Sequence, residues 1–202
     1  MILNDTYTLS NGMKIPKLGL GTWEIPDDKA AQAVRNAVKL GYRHIDTAQG
    51  YDNEKGVGEG IRTCGVSREE LFVTTKLQAF YKTYKEAKEA IEDSLRISGL
   101  DYFDLMIIHA PQPWTDFHNG EHFFEGNLEA WRALEEAHYA GRLKAIGVSN
   151  FEEIDLDNIL ENGEVKPVVN QILCHVGNTP FDLIDYCKEQ DILVEAYSPV
   201  AH

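Results

Sequence analysis

Short apolar runs, each followed by a polar turn, alternate with amphipathic stretches along most of the chain. Leu18-Gly-Leu, Arg43-His-Ile, Leu71-Phe-Val-Thr, Phe103-Asp-Leu-Met-Ile-Ile, Ala145-Ile-Gly-Val, Val168-Val-Asn and Ile192-Leu-Val-Glu-Ala read as seven strands. Between them apolar residues recur at helical spacing, as in Ala30, Ala33, Val34, Ala37 and Val38, and in Ala87, Ala90, Ile91 and Leu95. Asp27-Asp28 suit the positive N-terminal end of the first helix, and Gly41 suits its exit. Pro180 suits the start of a helix over 181–189, where a missing N–H costs nothing. Ahead of the alternation, Tyr7-Thr-Leu and Met13-Lys-Ile flank Ser10-Asn11-Gly12, which predicts a β-hairpin over residues 6–16.

Alternating strands and helices predict an α/β fold with a parallel sheet, either open and doubly wound or closed as a (β/α)8 TIM barrel. An open dinucleotide-binding sheet carries G-x-G-x-x-G at its first strand-to-helix turn. Here that turn reads Gly19-Leu-Gly21-Thr-Trp23-Glu24, and Gly56-Val-Gly58-Glu-Gly60 falls inside a helical pattern. Polar and aromatic residues instead end strand after strand, as a barrel requires. The expectation is one barrel domain over residues 1–202 with an N-terminal hairpin, its eighth strand and C-terminal helices absent from the chain, which stops at His202 after the seventh strand.

Composition narrows the partners. A formal charge of −14, from 33 acidic and 19 basic residues, repels phosphate backbones and anionic lipid, so neither nucleic acid nor a membrane is an expected partner. Three scattered cysteines outside any CxxC pattern indicate neither a disulfide framework nor a zinc site. The first residues show no basic segment followed by an apolar one, and no apolar run approaches membrane-spanning length, so a cytoplasmic protein is expected.

The strand ends supply Gly21-Thr22-Trp23, Asp46, Lys76, His109, Ser149-Asn150, Gln171 and Tyr197-Ser198, with Tyr51 just after the second strand. Each alone is ordinary: Lys76 a surface lysine, Asp46 a cap, His109 a satisfied core histidine, Tyr51 packing. Together they suit carbonyl reduction, in which negative charge grows on oxygen as hydride arrives and a proton donor is needed. Tyr51 is a candidate for that donor, Lys76 is expected to lower its pKa, Asp46 to pair Lys76, and His109 to hydrogen-bond the carbonyl. Tyr-x-x-x-Lys occurs three times, at Tyr51/Lys55, Tyr81/Lys85 and Tyr84/Lys88, so that spacing carries no information. His118 and His122 lie four apart in a polar loop broken by Gly120, and no metal is expected there. The loop from Pro111 to Asn127, with Trp114, Phe117, Phe123 and Phe124, is either a substrate wall or ordinary packing.

The segments Gly19-Leu-Gly-Thr-Trp23, His44-Ile-Asp46-Thr-Ala, Tyr51-x-Asn53-Glu54-x-x-Val57-Gly58, Thr75-Lys76, Ile108-His109, Ile146-Gly-Val-Ser149-Asn150-Phe151, Asn170-Gln171 and Ala196-Tyr197-Ser198-Pro199 together resemble the aldo-keto reductases. The resemblance implies a catalytic tetrad of Asp46, Tyr51, Lys76 and His109. It implies that Ser149, Asn150 and Gln171 hold a nicotinamide carboxamide and that Tyr197 stacks on its ring, with Gly21, Thr22, Asp46 and Ser198 also on the cofactor side. Trp23, Tyr51, His109 and Trp114 then face the substrate. NADPH is the expected cofactor, with NADH left open, and a small-molecule carbonyl compound the expected partner of a monomer or weak oligomer. The alternative is a catalytically silent barrel that binds nicotinamide as a regulatory subunit. Ala110-Pro111 stands where many relatives have Trp-Pro, and Ile172-Leu173-Cys174-His175 follows Gln171, so the pocket differs in detail.

Overall fold

A computed structural model describes residues 2–117 and 119–200. The predicted hairpin is present: β1 (Thr6–Thr8) pairs antiparallel with β2 (Lys14–Pro16). All seven predicted strands follow, as β3 (Gly19–Gly21), β4 (His44–Asp46), β5 (Phe72–Leu77), β6 (Phe103–Ile108), β7 (Leu143–Ser149), β8 (Val169–Leu173) and β9 (Leu193–Tyr197). They form one parallel sheet in sequence order, β3 through β9, curled into a nearly closed barrel. Among the described residues β3 and β9 are each paired on one side only. The connecting helices are α1 (Asp27–Leu40), α2 (Glu54–Thr63), α3 (Tyr84–Ser98), α4 (Phe124–Tyr139), α5 (Glu153–Asn162) and α6 (Phe181–Glu189). Among the described residues, no helix is long and apolar enough to cross a membrane.

Strand alternation sorts two cores. Outward-facing Ile45, Val73, Met106, Ile108, Ile146 and Val148 pack with apolar faces of the helices, such as Val34, Ile91 and Leu134. Inward-facing Phe72, Leu105, Ile107, Ala145 and Val169 fill the barrel floor together with Leu9 and Ile15 of the hairpin region, which plug it from below. Helix ends match the sequence signals. Asp27 and Asp28 occupy the first turn of α1, and Gly41 ends it at φ 105°, a left-handed geometry that suits a residue without a Cβ.

The glycines of α2 have a packing role. A Cβ on Gly56 would fall 2.1 Å from the Asp27 carbonyl oxygen, and one on Gly58 1.9 Å from that of Ser98. Backbone thus meets backbone at both flanking helices, which fixes the height of α2 and of the turn that leads into it.

Candidate active site

Period-two alternation carries the barrel floor up to its mouth. In β5 the inward set Phe72, Thr74 and Lys76 ends in Lys76. The same parity brings Asp46 from β4, His109 just past β6, Ser149 from β7, Gln171 from β8 and Tyr197 from β9 to one end of the barrel. They line a cavity of about 990 Å3, with Lys76 buried beneath it.

Tyr51 arrives by a different route, on a short 3-10 turn at 49–51. Gln49 anchors that turn, donating through Nε2 to Ala90 O and Ser94 Oγ at 2.9 Å each and accepting from the Gln78 N–H at 2.9 Å. Asn53 spends its whole amide on its neighbours: Nδ2 donates to Thr22 O and Ile25 O, and Oδ1 accepts from the Thr47 hydroxyl. Glu54, buried in the first turn of α2, accepts from the Thr75 and Ser94 hydroxyls. Burial raises its carboxyl pKa, partly offset by those two bonds.

The Lys76 ammonium, 1% exposed, uses its three protons on the Asp46 carboxylate, the Thr47 carbonyl at 2.9 Å and Tyr51 Oη at 3.2 Å. Burial alone pushes this lysine down, but Asp46 and Tyr51 reverse the direction and hold it above its ordinary value. Since the ammonium donates to Oη, the phenol's own proton is free for another acceptor. Lys76 lowers the Tyr51 phenol as expected, but burial outweighs it. Burial raises the phenol, Lys76 lowers it, Asp46 raises it again, and the net direction is upward.

His109 meets the Tyr51 ring edge-on at 5.7 Å between centroids. Burial, and after it Lys76, pushes its imidazole down to about 3, so the ring is neutral at physiological pH. Its Nδ1 is buried without a partner. Trp114 packs edge-on against the other side of His109 at 5.1 Å and against Phe117 at 5.1 Å. Trp114 and Trp23 are both about half exposed and line the cavity.

The residues expected on the cofactor side are bonded to one another. Asn150, left-handed at φ 59°, donates to His109 O at 3.1 Å and Ser149 Oγ at 3.0 Å, and accepts from the Tyr197 hydroxyl at 2.8 Å. Gln171 donates to Asp46 Oδ2 at 2.9 Å. Gly21 and Ser198 line the cavity, whereas Thr22 is buried with its hydroxyl directed at Asn53, 3.5 Å away.

Of the loop from Pro111 to Asn127, the last four residues form the first turn of α4 instead. His118 lies outside the described residues, and His122 is engaged, bonding Asp155 at 3.0 Å and stacking on Phe124. The sequence reading missed His44 and Glu195, whose ligand atoms lie with one from Asp46 within 4.8 Å of one another. Each stands two positions before a residue singled out, Asp46 or Tyr197, and so shares its face. A dication at that cluster would sit beside the Lys76 ammonium that already holds Asp46.

The fold and this constellation define a parallel-barrel oxidoreductase. Residues 17–202 match the Aldo/keto reductase family, and the chain belongs to it. It is 43% identical over 199 residues to the glyoxal reductase of Bacillus subtilis (strain 168), covering 98% of this chain and 68% of that protein. To the 9,11-endoperoxide prostaglandin H2 reductase of Trypanosoma cruzi (strain CL Brener) it is 41% identical, covering 97% and 66%. Among solved structures, an aldo/keto reductase from Brucella melitensis superposes with a TM-score of 0.89 at 41% identity, over 98% of this chain and 74% of that one. A Bombyx mori aldo-keto reductase in complex with NADP superposes at 0.85 with 36% identity, over 98% and 67%.

Proposed function

We propose that this chain reduces aldehydes or ketones to alcohols with NADPH, and that Tyr51 delivers the proton. The observation that carries the reading is the Lys76 ammonium bonded to Tyr51 Oη beneath the cavity, with Asp46 behind it. When bound, a nicotinamide cofactor would supply the hydride. Ser149, Asn150, Gln171 and Tyr197 would hold its nicotinamide end, with Gly21 and Ser198 beside them. The residues fit such a ligand: amide and hydroxyl groups of Ser149, Asn150, Gln171 and Tyr197 line the cavity together with Trp23 and Trp114. NADPH is preferred in this reading because the Bombyx mori relative was solved with NADP. Residues 1–202 belong to one barrel domain. Cys64, Cys174 and Cys187 are all free, which fits a reducing, cytoplasmic setting.

In this mechanism the neutral His109 donates a hydrogen bond to the substrate carbonyl and sets its angle, while Trp23 and Trp114 flank the substrate. As negative charge gathers on the carbonyl oxygen, the Tyr51 proton moves to it. Lys76 stabilises the phenolate left behind, and Asp46 keeps the lysine charged.

The assay is NADPH consumption with a panel of aldehydes, including glyoxal, run in parallel with NADH. Turnover with NADPH is expected. Quenching of protein fluorescence by NADPH with no consumption would instead favour a silent nicotinamide-binding subunit.

The pH profile supplies a second test. Reduction needs Tyr51 protonated, and its pKa is raised, so the rate should hold until the pH passes the ordinary tyrosine value of about 10 and fall above it. His109 titrates near 3, so it should add no inflection between about pH 5 and 8, the range of an ordinary histidine. A limb in kcat/KM near pH 6.5 that disappears in His109→Asn would contradict the neutral-imidazole assignment.

A further inference from the structure

One side chain outside the cavity touches both ends of the segment that walls it. The loop joining β6 to α4, residues 109–123, carries Trp114 against His109. It is closed on itself where Gln112 Nε2 donates to Glu121 O at 3.0 Å. Lys82, in the connection between β5 and α3, reaches across from the neighbouring unit. Its Nζ donates to Ala110 O at 3.4 Å, at the start of the loop. The same Nζ lies 5.9 Å from the centre of the Phe123 ring, at the end of the loop. It also donates to Asn127 Oδ1 at 2.5 Å, in the first turn of α4.

Three further details describe how closely this position is packed. Asn127 is fully buried and its Nδ2 has no partner, so the amide is oriented by the ammonium alone. Gly126 leaves the room: a Cβ there would stand 2.7 Å from Lys82 Cβ, so α4 can cross at this distance only without a side chain. Burial also pushes the Lys82 amine down to about 7, opposed by Asp155 of α5, so near neutral pH it is divided between its charged and neutral forms, both of which carry N–H donors.

We propose that Lys82 is a positioning residue for the carbonyl substrate: it staples the two ends of loop 109–123 and thereby sets the placement of Trp114 against His109. It does not touch the substrate. The inference rests on the reading of the cavity as a reductase site.

The test uses Lys82→Met and Gly126→Ala in the full chain, the first removing the donor and the second displacing it. In both, KM for the aldehyde should rise about tenfold, the equivalent of one hydrogen bond from a charged donor, with kcat and NADPH affinity unchanged. Limited proteolysis followed by mass spectrometry should show faster cleavage between residues 111 and 123. If Lys82→Met fails to fold, Gly126→Ala carries the test. Parental KM and parental cleavage in the folded variants would overturn the proposal, and so would a fall in kcat at constant KM. If the parent consumes no NADPH, the reading of the site fails, and the cleavage rates alone decide whether Lys82 staples the loop.

Discussion

Replacing Tyr51 with phenylalanine should lower kcat/KM for aldehyde reduction by about 10²–10⁴ while leaving the fold intact, the usual scale for losing a positioned general acid. The single atom removed is the one that Lys76 holds at 3.2 Å and that the mechanism spends as donor. The ring stays, and with it the edge-on contact to His109. Lys76 keeps Asp46 and Thr47 as partners, so stability should change little. Initial rates of NADPH oxidation, beside a thermal melt of both proteins, check this. A Tyr51→Phe enzyme at the parental rate would remove Tyr51 from the chemistry altogether.

The second large effect concerns stability as well as rate. Lys76→Met strands the Asp46 carboxylate inside the barrel mouth with Gln171 as its remaining donor. Breaking one side of a buried ion pair costs about 3–5 kcal/mol, because the surviving charge is desolvated without compensation. Urea unfolding should show that loss, and reductase activity should fall with it. Adding Asp46→Asn to the lysine variant should recover part of the stability but none of the activity, since the orphaned charge is gone while the phenolate stabiliser is still missing. A single variant less than about 1 kcal/mol below the parent would mean that the pair is solvated and that Asp46 does not depend on Lys76.

Much of this was legible in the sequence because barrel geometry converts position into function. A residue at the C-terminal end of a strand, on the inward parity, has one place to go. Asp46, Lys76, Ser149 and Tyr197 follow that rule, His109 follows it one residue beyond β6, and Gln171 shares the parity from the middle of β8. The hairpin was legible for a similar reason, since Asn11-Gly12 is a local signal that needs no tertiary context. What stayed hidden depends on packing across elements. The rise in the Tyr51 pKa reflects burial, and Asp46 behind it, outweighing an ammonium, and residue types alone point only to the ammonium. Gly56 and Gly58 could be placed inside a helix, but the reason for them lies in the Asp27 and Ser98 carbonyls, one from each flanking helix. Nothing in the sequence singles out Lys82, whose contacts come from α4, with Asn127, packed over it.

The Asn150 amide has a directional consequence. Its nitrogen must face the His109 carbonyl, because a carbonyl only accepts, and both of its protons are committed there and to Ser149. One lone pair on its oxygen takes the Tyr197 hydroxyl, which leaves a single accepting position open. To anything that docks beside it, Asn150 is therefore an acceptor and not a donor. A primary amide can turn only its NH2 end toward that point and must direct its oxygen elsewhere.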